Sequence, residues 1–112
     1  MHELSITLSI VEAAVATAAG RRVRRVSVEI GALSGVMADA IMFCFELAAL
    51  GTTVEGAELE IRRVDGRVRC WDCETEFAVA SIATPCSCGS FRLAVLAGEE
   101  LNLSSIELEN AI

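Results

Sequence analysis

Two short cysteine spacings carry the most explicit chemistry in the chain. Cys70-Trp71-Asp72-Cys73 and Cys86-Ser87-Cys88-Gly89 set two thiol pairs twelve residues apart. A tetrahedral zinc site draws four thiolates from two tight turns, each turn aiming two sulfurs at one ion. Zinc has no redox chemistry in proteins, so a site closed by four thiolates is structural. Binding is worth about 10–16 kcal/mol in small zinc peptides, a stabilisation that a segment of about thirty residues cannot draw from a core of its own. Gly89 suits the tight turn after the last ligand. The second pair is C-x-C, one residue shorter than C-x-x-C; the chelate is tighter, yet both sulfurs still reach one ion. Two reducible thiol pairs, or a redox-active C-x-x-C, would use the same residues, but a redox motif needs only one pair and sits on a thioredoxin-like βαβ body. Iron in a rubredoxin-like site is a third reading, for which the twelve-residue gap is short. The fifth cysteine, Cys44, falls on an apolar helix face and reads as core packing.

The sole histidine stands at position 2. There the α-amine of Met1, the backbone amide nitrogen of His2 and its imidazole can close fused chelate rings on one ion, and the Glu3 amide adds a fourth nitrogen. An all-nitrogen, near-planar donor set suits Ni(II) or Cu(II) rather than tetrahedral Zn(II). Initiator Met is retained before a residue as large as His, so the amine belongs to Met1. Taken alone, His2 reads as a solvated side chain. Asp39 and Glu46 read as solvated helix charge, Asp39 also serving the helix dipole. Arg21 to Arg25 read as loop and edge-strand charge that discourages aggregation. The chain shows no nucleophile–base pair and no phosphate loop, so it is expected to bind and hand on a metal, not to be an enzyme.

These residues need elements to hold them. Leu4, Leu8, Val11, Val15 and Ala18 recur at three- and four-residue intervals and predict a helix over 3–19, stopped at Gly20. Val26, Val28 and Ile30 alternate with Ser27 and Glu29 and predict a strand. After the GALSG turn at 31–35, Ile41, Cys44, Phe45 and Ala48 share one face of a second helix over 37–50, ended by Gly51. Residues 57–65 predict a second strand. A last strand over 100–109 keeps its alternation only if Ser104–Ser105 holds a bulge. The fold class expected is α+β: two helices on a small mixed three-stranded sheet, an inserted zinc-ribbon-like domain, and a C-terminal strand returning to the sheet. Residues 1–65 and 99–112 would form one domain and 66–98 the other.

Composition bounds the rest. With 112 residues, 54% apolar and 22% charged, the chain should fold as one domain or as one with a small appendage. Glu12, Asp39 and Glu46 break every apolar run before the ~18–20 residues of a membrane span. His2 and Glu3 stand where a secretory signal would carry cations. A net charge of −7 opposes general nucleic-acid binding, and only the Arg21–Arg25 cluster speaks for it. Five cysteines are too sparse for a disulfide scaffold and point to a reducing, cytoplasmic compartment.

In order along the chain stand MHELSI at 1–6, GALSGV at 31–36, FCFELA at 43–48, the two cysteine pairs ending in CGS, and GEELNLSSIELE at 98–109. Together they closely resemble the HypA/HybF family of hydrogenase-maturation nickel-insertion proteins, over essentially the whole chain. The resemblance implies a metallochaperone that delivers Ni(II) to the large subunit of [NiFe]-hydrogenase. It implies nickel at His2, with Met1 and Glu3 at the neighbouring positions, and structural Zn(II) at Cys70, Cys73, Cys86 and Cys88. It implies a hydrogenase-maturation GTPase as partner, and urease accessory proteins for some relatives. Many members carry C-P-x-C-G-S, whereas this chain has Pro85-Cys86-Ser87-Cys88-Gly89-Ser90. The match is firm at Cys88 and shifted by one place at Cys86. The alternative is a zinc-ribbon module that binds nucleic acid or protein.

Overall fold

The computed structural model describes residues 3–110. Its elements run α1 (Glu3–Ala18), β1 (Val23–Gly31), α2 (Ala38–Ala49), β2 (Glu58–Val64), β3 (Gly66–Cys70), β4 (Glu76–Val79), β5 (Leu93–Ala97) and β6 (Leu101–Leu108). The fold is α+β, with two three-stranded sheets ordered β2-β1-β6 and β4-β3-β5. The first is mixed: β1 runs parallel to β2 and antiparallel to β6. A parallel neighbour requires a crossover, and α2 supplies it between β1 and β2. The second sheet is antiparallel throughout.

The main core lies between the first sheet and the two helices. Val26, Val28 and Ile30 of β1 meet Ile41, Phe45 and Ala49 of α2 and Ile10, Val11 and Ala14 of α1, all buried. Helix α1 packs over β6 and β1, α2 over β2, and the helices on each other. Helix α1 is rotated from the expected stripe. Its buried residues are Thr7, Ile10, Val11, Ala14 and Ala18, whereas Leu4 and Leu8 are exposed at 51% and 45%. The cause is Thr7. Its hydroxyl donates to the Glu3 carbonyl at 2.7 Å, so this polar side chain is buried without an unmet hydrogen bond. The small Ala14 and Ala18 complete a face that pattern reading passes over. The helix ends through Ala19 at φ 50° and Gly20 at φ 87°, a left-handed exit of the kind that closes helices.

The expected bulge in β6 is present. Ser27 pairs with Ser105 and Val28 with Leu103, so Ser104 is the extra residue, and its hydroxyl donates to the Ser27 carbonyl at 2.9 Å. A second register shift falls at Arg24 of β1, and it lets Val23 and Val26, three apart, both face the core.

The two sheets meet at a neck built from backbone. The amides of Gly31 and Leu33 donate to the carbonyls of Glu100 and Gly98, both at 2.7 Å, and the Ala32 amide donates to the Val64 carbonyl at 2.9 Å. A Cβ on Gly31 would collide with the Gly98 carbonyl, and one on Gly66 with the Val79 carbonyl and the Leu33 side chain. The described chain measures 58 × 25 × 17 Å with a radius of gyration of 17.3 Å. A compact domain of this size would have a radius of about 13 Å, so the two sheets extend the molecule lengthwise.

Candidate metal centre

Cys70 closes β3, and the chain then turns back on itself. The Cys70 amide donates to the Thr75 carbonyl, the Glu74 amide to the Cys70 carbonyl, each at 2.9 Å, and Glu74 takes a left-handed φ of 63°. The second turn has the same logic. The Cys86 amide donates to the Ser90 carbonyl and the Gly89 amide to the Cys86 carbonyl, each at 2.8 Å, with Gly89 at φ 90°. Both turns therefore present their cysteines at one end of the second sheet.

All four sulfurs lie within 4.8 Å of one another. Cys70 Sγ is 3.7 Å from Cys88 Sγ, and Cys73 Sγ is 3.4 Å from Cys86 Sγ. A tetrahedron with Zn–S of about 2.3 Å has sulfurs about 3.8 Å apart, so the cluster already has nearly the right size. It is too wide for disulfides, whose S–S bond is about 2.05 Å. Close approaches run between the two turns, and every sulfur is within reach of the other three, which matches a single four-sulfur site better than two separate thiol pairs. The C-x-C spacing does not prevent this: Cys86 is 3% exposed and lies inside the cluster.

Electrostatics differ around the cluster. The Thr75 hydroxyl, 3.3 Å from Cys73 Sγ, and the Thr75 amide hold the Cys73 thiol down to about 6. At Cys88 the Ser90 amide favours the thiolate, but Cys70 and Cys86 outweigh it and push the thiol up to about 12. A free cluster thus ionises unevenly, and a dication that neutralises several thiolates at once relieves the repulsion between them.

Asp72, Ser90 and Arg92 lock the two turns together. The Ser90 hydroxyl donates to one Asp72 oxygen, and the Arg92 guanidinium donates to the other at 3.0 Å. The Arg92 amide donates to Ser90 Oγ at 3.0 Å, and the Trp71 amide to the Arg92 carbonyl at 2.9 Å. Sequence reading missed these residues. The only signal was the position of Asp72 inside the first pair.

Of the expected nickel donors, Met1 and His2 lie outside the described residues. Glu3 opens α1. Asp39 and Glu46 are exposed on α2, and Cys44 is half-buried there, apart from the four-sulfur cluster. Three of the four arginines between 21 and 25 are engaged within the fold. Arg25 pairs with Glu58 and Glu107, Arg24 pairs with Glu107, and Arg22 donates to the Glu55 carbonyl at 2.7 Å. Among the described residues no helix is long and apolar enough to cross a membrane.

Comparison with known proteins agrees with this architecture. Residues 1–108 match the family model described as "Hydrogenase/urease nickel incorporation, metallochaperone, hypA". The chain is 51% identical over 110 residues to hydrogenase maturation factor HypA of Geotalea uraniireducens, covering 97% of this chain and 100% of that one. It is 50% identical over 110 residues to the HypA of Geobacter metallireducens, with the same coverage. The solution structure of the nickel metallochaperone HypA from Helicobacter pylori superposes with a TM-score of 0.66 at 25% identity, over 96% of this chain and 97% of that one. Fold, four-sulfur cluster and near-complete sequence coverage converge: the chain belongs to the HypA family of hydrogenase and urease nickel-incorporation metallochaperones.

Proposed function

We propose that the protein carries Ni(II) at its N-terminus and assists its insertion into the large subunit of [NiFe]-hydrogenase, while Zn(II) at Cys70, Cys73, Cys86 and Cys88 holds the second sheet. The family match across residues 1–108 carries this reading. Nickel is cargo here. Its donors are the Met1 amine, the His2 amide and imidazole, and the amide of Glu3, the first residue of α1. A site at a chain terminus suits transfer, because a ligand from the acceptor can attack the metal without opening a core. Residues 1–65 and 99–112 are read as the nickel domain and 66–98 as the zinc domain, a division supported by the two separate sheets. The hydrogenase-maturation GTPase is the expected partner, with urease accessory proteins as further candidates, in the cytoplasm. The protein makes and breaks metal–ligand bonds and is not an enzyme. The cross-paired Arg22, Arg24 and Arg25 weaken the nucleic-acid alternative, since phosphate contacts need free cations.

The test is a nickel titration by calorimetry on zinc-loaded protein with its native N-terminus, repeated on His2→Ala. Wild type should bind about one nickel, and His2→Ala should lose it with zinc content unchanged. Binding requires a deprotonated amine, free pKa about 7.7–8.0, and a neutral imidazole, free pKa about 6.5. Both groups bind protons as pH falls, and protons compete with the metal, so affinity should drop steeply between neutral pH and 6. Equal binding by His2→Ala, or a flat profile over that range, rejects the donor set.

A further inference from the structure

The outer surface of the helix pair is apolar where the fold needs no apolar surface. On α2, Phe43 is 74% exposed, Leu47 59%, and Leu50, just past its end, 61%. Their spacing of four and three residues puts them on one arc, opposite the buried Ile41, Phe45 and Ala49. A groove of about 370 Å³ opens between the helices, lined by Leu8, Val11 and Val15 of α1 and Ala48 of α2. Leu4 and Leu8 carry the apolar surface to the first turns of α1. Large exposed side chains gathered in this way are uncommon on a surface with no partner.

The charges carried by the two helices themselves have one sign. The ionisable side chains of the two helices are Glu3 and Glu12 on α1 and Asp39 and Glu46 on α2, with no arginine on either. Glu12 borders the groove itself. Glu46 and Glu55 line a second hollow with Leu50; cations reach its margin and the α2 start from off the helices, Arg22 donating to the Glu55 carbonyl and Arg63 lining a further hollow with Asp39. Two copies of such a face would bring carboxylates against carboxylates, which costs association. A surface pairing apolar side chains with Lys or Arg would satisfy both features.

We infer that the α1–α2 face is a docking surface for a basic amphipathic segment of another protein, which seats apolar side chains along Phe43, Leu47 and the interhelical groove and sets its cations against Glu12 and Glu46. The inference is independent of what the N-terminus binds. Its place on α1 has one consequence: a partner held there lies beside the first turn of that helix.

The probe is a short amphipathic helical peptide of leucine and lysine, titrated into isotope-labelled, zinc-loaded full-length protein by NMR. Comparison peptides replace leucine with serine or lysine with glutamate. The leucine–lysine peptide should shift the amides of α1 and α2. Phe43→Ser combined with Leu47→Ser, both exposed in the native fold, should weaken it by roughly tenfold or more. Glu46→Arg should weaken it as well and strengthen the leucine–glutamate peptide. Equal binding of the serine–lysine peptide would reduce the effect to net charge and overturn the proposal. So would shifts confined to the strands, or unchanged affinity in the double variant. A wild-type dimer in sedimentation that the double variant dissociates would instead assign the face to a second copy.

Discussion

Asp72 is bracketed by two cysteines, yet its side chain works on the other turn. It accepts from Ser90 and Arg92, so each cysteine turn is fastened to the other before a metal is considered. The size of the effect follows from exposure. Arg92 and Asp72 side chains are 73% and 45% exposed, and exposed ion pairs are worth at most about 1 kcal/mol. Asp72→Asn should therefore leave zinc stoichiometry at one per chain and speed zinc loss to a competing chelator by about two- to fivefold. Arg92→Ala should do the same, because it breaks the same lock, and Glu76→Gln, whose partner is Arg69, should leave the rate unchanged. Chelator-exchange kinetics followed by absorbance separate these cases; wild-type rates in Asp72→Asn would show that the sulfurs alone set the lifetime. The four sulfurs were legible in the sequence because ligand spacing is a local property. The lock was not, because a carboxylate, a hydroxyl and a guanidinium spread over 72–92 carry no periodic or motif signal.

Elements were legible where one property repeats along the chain. From Val26 on, strand β1 follows from alternation and β6 from alternation broken at Ser104, whereas the shift at Arg24 of β1 left no mark in the pattern; the structure sets the two strands side by side. Helix α1 was legible as a helix but not in its rotation, since the buried face includes Thr7 and two alanines while Leu4 and Leu8 face outward. The strands of the second sheet are four or five residues long, too short for a pattern to register, and only their cysteines announced them. The neck was equally silent, because its contacts are backbone to backbone. It can be tested at Gly31, whose backbone is of ordinary hand and whose missing side chain is purely a matter of space. Gly31→Ala would force the Gly98 carbonyl away and strain the hydrogen bonds at Gly31 and Leu33. A cost of about 1–3 kcal/mol is expected, lowering Tm by about 10 °C. Gly51→Ala is the contrasting case: nothing lies within 4 Å, and φ is 77°, so its smaller cost of about 1 kcal/mol is conformational. Equal melting points for the two variants would show that the neck yields freely to a methyl group.

At the scale of the whole molecule, apolar burial and the clustered cysteines are divided between the sheets. The continuous core belongs to the first sheet and its helices, running from Ile10 to Val54 and joined by Leu101, Leu103 and Ile106 of β6. The side chains buried in the second sheet and its turns are Val68, Val79 and the two cysteines Cys70 and Cys86. Burial of a full aliphatic side chain contributes about 1.5–3 kcal/mol, so two valines make a very small core for a segment of about thirty residues. Zinc binding, at about 10–16 kcal/mol in small zinc peptides, would exceed what both valines contribute. Loss of the metal should then unfold the second sheet alone. Strand β6 remains able to pair with β1 across the unfolded segment, because loop closure costs only about 0.6 kcal/mol for each doubling of loop length. Removing zinc with a chelator under reducing conditions should abolish amide-exchange protection at Val68, Arg69 and Val95. Protection should persist at Val26, Val28 and Leu103, and the helical circular dichroism should stay near its zinc-loaded value. Adding back zinc should restore the lost amides. If β1 and β6 lose protection together with β3, the neck couples the sheets into one cooperative unit, and the metal holds the entire fold.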